Sequence, residues 1–129
     1  MQGRVSRIIS SAAAICLMPT AAFAASVSCG SGSGSQTRTA SYSDGAAVSG
    51  TLKSTSGNAV YYQGIVDLGG CNDVGVGRYS TNTSSTSSVT RGGTISTAKG
   101  LCSFQGVRSK ICRDISGAPD LCGPWSTRY

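Results

Sequence analysis

Residues Leu101 to Trp125 read LCSFQGVRSKICRDISGAPDLCGPW, and this stretch decides the fold. It holds three of the six cysteines, the single tryptophan and the densest group of basic residues in the chain. Val107, Ser109, Ile111 and Ile115 share one parity, while Arg108, Lys110, Cys112 and Asp114 take the other. A period of two marks a half-buried β-strand. Ser116, Gly117, Pro119 and Asp120 then supply turn chemistry, since glycine allows positive φ, proline fixes φ, and aspartate bonds back to the local backbone. A second arm is expected over Gly123 to Tyr129, and Cys112 and Cys122 flank the turn closely enough to staple the two arms. Phe104 sits out of phase with Val107, so a bulge is expected near Gly106.

Working outward, the first residues read as an address. Arg4 and Arg7 form a basic start, Ile8 to Met18 is a short apolar run, and Ala22-Phe23-Ala24 fits a small-residue cleavage site. The run is too short to anchor stably across a bilayer. Residues 1–24 are therefore expected to be a bacterial-type signal peptide, residues 25–35 a flexible Gly/Ser tether, and residues 36–129 a single domain. A chain this short buries a modest core, which disulfides supplement in exported proteins.

Removing Arg4 and Arg7 from the 11 basic residues leaves nine against five aspartates, a net charge of +4. That suits contact with anionic surfaces or simple solubility. The basic residues form no run and no interleaving with aromatics, so specific nucleic-acid binding is not expected. With no His and no C-x-x-C, neither a metal site nor any cofactor is expected.

Cys16 falls in the signal, which leaves five cysteines. Pairing Cys112 with Cys122 and Cys71 with Cys102 leaves Cys29 over. Its expected fates are pairing with another cysteine, a covalent dimer or a lipid anchor at the cell surface.

The clearest strand is Ala59 to Leu68. It puts Val60, Tyr62, Gly64, Val66 and Leu68 on one face, and it carries apolar groups on both, so it belongs at the centre of a sheet. Strands are also expected over Gln36 to Ser43, Ala46 to Lys53 and Val74 to Ser80, with two short arms around Gly92-Gly93. Thr81 to Ser88 is polar and low in complexity. Six or seven short strands without helical periodicity predict an antiparallel β-sandwich or small barrel.

V-R-S-K-I-C-R-D followed by D-L-C-G-P-W resembles the C-terminal hairpins of small, uncharacterised exported β-proteins of actinomycete-like bacteria. The resemblance is confined to this hairpin and brings no functional residue with it.

Without His, Ser-His-Asp and Cys-His catalysis are excluded. Asp67 and Asp73 flank Gly69-Gly70-Cys71 and are the one carboxylate pair whose convergence would permit acid–base chemistry; the plainer reading is loop polarity. Asp73 with Arg78 and Tyr79 is a second candidate cluster. Tyr61, Tyr62, Tyr79, Trp125 and Tyr129 are amphipathic rings suited to sugars or partner surfaces; the plainer reading places Tyr62 and Trp125 in the core. The candidate binding residues are thus Tyr61, Tyr79, Arg108, Lys110 and Trp125. A secreted non-catalytic domain that binds a cell surface, wall polymer or protein is the leading expectation. A secreted antibacterial protein or protease inhibitor is the alternative.

Overall fold

The alternating strands assemble as two facing antiparallel sheets. The computed structural model describes residues 24–28, 31–98 and 102–129. The expected signal peptide, apart from Ala24, and the fate of Cys29 lie outside the described residues. The strands are β1 (Ala24–Ser28), β2 (Gly32–Tyr42), β3 (Gly45–Ser54), β4 (Val60–Gly69), β5 (Val74–Arg78), β6 (Val89–Ser96), β7 (Ser103–Arg113) and β8 (Leu121–Cys122). Sheet A has the order β1-β2-β3-β6 and sheet B the order β5-β4-β7-β8. The expected all-β sandwich, with disulfides at Cys71–Cys102 and Cys112–Cys122, is present.

Inward-facing residues of the two sheets meet in one apolar layer. Ala46, Val48 and Ile95 of sheet A pack with Val66, Leu68 and Val107 of sheet B and with Tyr129. Leu52 packs with Val60, Tyr62 and Ile111 at the other end. The strand expected at the centre is β4, between β5 and β7, and its Val60, Tyr62, Gly64, Val66 and Leu68 all point inward. Gly64 has no side chain because Ile95 from the opposite sheet fills that space, with its Cγ2 2.8 Å from where a Cβ would stand.

Two expectations need correction. The first concerns the tether. Residues 32–35 form the first part of β2, registered on Ser54 to Thr51, and Ala24 to Ser28 pair with β2 as β1. The glycines supply space rather than slack, because a Cβ on Gly34 would overlap the Thr51 carbonyl oxygen and the Tyr62 hydroxyl. The second concerns the paired arms around Gly92-Gly93. They are one continuous strand, β6, which lies along β3 from Leu52↔Val89 to Gly45↔Ser96.

The expected staple forms, but the second strand is only β8, ahead of the arm expected over Gly123 to Tyr129. Cys112 and Cys122 are cross-strand neighbours. The bulge falls where Asp67 pairs with Gly106 and Leu68 with Phe104, which leaves Gln105 extra. Beyond β8 the second arm follows β7 irregularly: the amides of Gly123, Ser126 and Tyr129 donate to the carbonyls of Ile111, Ser109 and Val107.

Candidate functional site

Asp67 lies on the outer face of β4, yet its side chain is only 2% exposed. Arg108, on the neighbouring strand, donates to it from Nε at 2.9 and 3.0 Å and from Nη2 at 2.7 Å. Arg128 donates from Nε to Asp67 Oδ2 at 2.9 Å. It reaches the carboxylate over Gly106, where a Cβ would collide with the Arg128 side chain. Arg108 Nη2 also donates to Asp73 Oδ2 at 3.0 Å, and the Leu68 amide donates to Asp73 Oδ1 at 3.2 Å. Asp67 and Asp73 therefore converge, but on a shared guanidinium. The bonds to Asp67 push the Arg108 pKa further up, so this cation is permanent.

Around the hairpin a second cluster forms. Arg78 lies over the Tyr61 ring, its Cζ 3.7 Å from the ring centroid. Its Nη1 donates to Asn82 Oδ1 at 2.7 Å and its Nη2 to Asp114 Oδ2 at 3.3 Å. Asn82 Nδ2 donates to the same Asp114 oxygen at 2.7 Å. Beneath this cover Tyr61 is 2% exposed, and its hydroxyl donates to Asp120. Burial, then that bond, raises the Tyr61 pKa. The Ile115 amide and the Tyr61 hydroxyl together lower that of Asp120.

Of the candidate binding residues, Lys110 and Trp125 stand together on this outer face, the ammonium 4.5 Å from the ring centroid. Arg108 is consumed by Asp67 and Asp73, and Tyr61 is buried under Arg78. Tyr79 turns inward instead of outward. It stacks on Tyr62 at 5.8 Å, its hydroxyl donates to Gln36 Oε1 at 3.0 Å, and it pairs with the Ser109 hydroxyl at 2.7 Å. Tyr129 joins the same Ser109 hydroxyl, and the Tyr62 hydroxyl donates to the Thr51 carbonyl at 2.7 Å. Burial raises all three phenol pKa values: Tyr129 is pushed up to about 12, Tyr62 higher still, and Tyr79 well above its ordinary value. Asp73, Arg78 and Tyr79 thus go to three different partners and do not form the second candidate cluster.

The residue that sequence reasoning missed is Tyr42, the tyrosine that is 49% exposed. It ends β2 on the outer face of sheet A, opposite Gly45. That face carries Ser33, Ser35 and Thr37 of β2, Ser49, Thr51 and Lys53 of β3, and Thr90, Thr94 and Ser96 of β6. The register sets Ser35, Thr51 and Thr90 in one row across three strands, and Thr37 beside Ser49 in the next. The period-two hydroxyl pattern was the available signal, but assigning its face needs the register. Comparison with protein families, with curated proteins and with solved structures gives no match to this chain.

Proposed function

We propose that this chain is a secreted, non-catalytic domain that binds an extracellular target: a cell surface, a wall polymer or a protein partner. The observation that carries this reading is how its carboxylates are used. Asp67, Asp73 and Asp114 each accept from arginine, and Asp120 accepts from Tyr61 and the Ile115 amide. A general acid or base needs a carboxyl free to meet a substrate, and these four are engaged within the fold, while Asp44 lies in the turn between β2 and β3. The two disulfides fit an oxidising compartment. No helix among the described residues is long and apolar enough to cross a membrane. The test is co-sedimentation of the purified mature chain with cell walls and with intact cells. Retention in the pellet is expected; a chain left in the supernatant with both, and with no co-purifying protein, defeats the reading.

A second reading, a secreted protease inhibitor, rests on the loop between β7 and β8. Cys112–Cys122 clips it, Asp120 braces it from within, and Leu121 is 60% exposed at its end. Inhibition of a panel of secreted proteases, lost in Leu121→Asp, would favour this reading over the first.

A further inference from the structure

We propose that the outer face of sheet A binds a single extended chain of a neutral polysaccharide, with Tyr42 stacking on a sugar ring. This rests on the binding-domain reading and names its ligand class and its surface. Ser33, Ser35, Thr37, Ser49, Thr51, Thr90, Thr94 and Ser96 all present hydroxyls on this face. Among the described residues none of these hydroxyls has a protein partner. Each is both donor and acceptor, which matches the hydroxyls of a sugar. Ala40, Ala47, Gly45 and Gly92 lie between them and keep the floor shallow.

Charge decides against a polyanion here. Lys53 is the single charged residue at the outward positions of β2, β3 and β6. A neutral chain can settle on such a face without desolvating ions. Geometry decides against a crystalline plane. Rows repeat about 6.8 Å along each strand and about 4.8 Å between strands, but neighbouring strands rotate by roughly 20–25°. The rows therefore fan out, which a flexible polymer can follow and a rigid lattice cannot. Tyr42 supplies the apolar contact: an exposed ring at the end of the rows, amphipathic and cheap to order.

The experiment measures binding of the mature chain to soluble chito- and cello-oligosaccharides by calorimetry, and to cell walls stripped of anionic polymers by sedimentation. The variants are Tyr42→Ala, Thr51→Glu, Lys110→Ala and Trp125→Ala. Tyr42→Ala and Thr51→Glu should each weaken binding about tenfold, Lys110→Ala and Trp125→Ala should leave it unchanged, and added salt should matter little. Thermal melts confirm that each variant is folded; position 51 is solvent-exposed, so Thr51→Glu carries the test if Tyr42→Ala melts early. Wall binding that survives both face variants, or that salt abolishes, overturns the inference and leaves the binding-domain reading in place. Oligosaccharide binding lost in Tyr42→Ala but without wall binding upholds the face while removing the wall as its target. No binding to walls or to either oligosaccharide overturns the inference.

Discussion

The two sheets solve the same problem with different materials. Sheet B keeps its outer face in order with ions and sulfur: Asp67, Asp73, Asp114 and Asp120 all lie on or beside it, three of them in ion pairs, and a disulfide ties β7 to β8. Sheet A makes use of close approach between small residues and their neighbours, with Gly34 set against Tyr62 and Thr51. A face already bonded to itself has little left to offer a ligand. A face whose hydroxyls lack protein partners has those groups free for one. On the proposed reading the contrast separates holding the fold from meeting a target, and each of the following experiments presses on it.

The layer between the sheets should give the largest effect. Tyr62, Tyr79 and Tyr129 have folded pKa values above the ordinary 10.0. The protonated form is favoured in the fold, so the stability is fully present below pH 10 and falls as pH rises from there towards about 12. Tyr62 and Tyr129 together cost on the order of 3 kcal/mol per pH unit in that window, and Tyr79 acts in the same direction. Urea melts across the window, with tyrosinate absorbance followed in parallel, should show ionisation and unfolding together. Ionisation of all three in a folded chain would break the account.

Removing the disulfides by paired Cys→Ala should cost roughly 3–4 kcal/mol at Cys71–Cys102, which closes the longer loop, and about 1 kcal/mol less at Cys112–Cys122. Asp67→Asn should cost about 2 kcal/mol, because it removes the charge of a buried carboxylate that accepts from two guanidiniums, of which Arg108 keeps Asp73 and Arg128 is left to solvent; Lys53→Ala on sheet A should stay within about 0.5 kcal/mol. Chemical denaturation measures all four. Equal losses for Asp67→Asn and Lys53→Ala would erase the difference between the sheets.

Gly34→Ala probes the other material. The new methyl meets the Thr51 carbonyl and the Tyr62 hydroxyl, both fixed by their own hydrogen bonds, so a loss of about 1–3 kcal/mol is expected in the same denaturation assay. A neutral result would return residues 32–35 to the tether that their composition suggests.

That position also shows where the sequence was legible. The apolar groups on both faces of Ala59 to Leu68 placed β4 inside a sheet, and it lies between β5 and β7. The phase slip between Phe104 and Val107 located the bulge, and the turn residues between Cys112 and Cys122 gave their pairing. GSGSGS was misread because composition alone does not distinguish glycine as slack from glycine as clearance; the difference lies in Tyr62 and Thr51, far along the chain. The outward tyrosines were misjudged for a related reason. Tyr62 takes the core place expected of it, but Tyr61 is buried beneath Arg78 and Tyr79 turns inward, while Tyr42 stays open opposite a glycine. Exposure depends on what the register brings alongside, and local sequence does not contain it.

The smallest expected effect is the sharpest test of the comparison. Replacing Thr51 and Thr90, which face each other across β3 and β6, with valine keeps the shape and the β-branching and deletes two hydroxyls. Were those hydroxyls structural, each loss would cost about 1 kcal/mol. They have no protein partner, so the double variant should unfold within about 0.5 kcal/mol of the parent. Ser109→Ala removes a hydroxyl of the same kind from the buried layer, where it bonds Tyr79 and Tyr129 and takes no part in the outer face, and it should cost at least 1 kcal/mol. If the exposed pair proves as costly as the buried serine, the hydroxyl face is part of the scaffold and sheet A holds the fold as sheet B does. If it is silent in stability, the fold does not explain why hydroxyls occupy these positions, and the explanation has to come from what the face contacts.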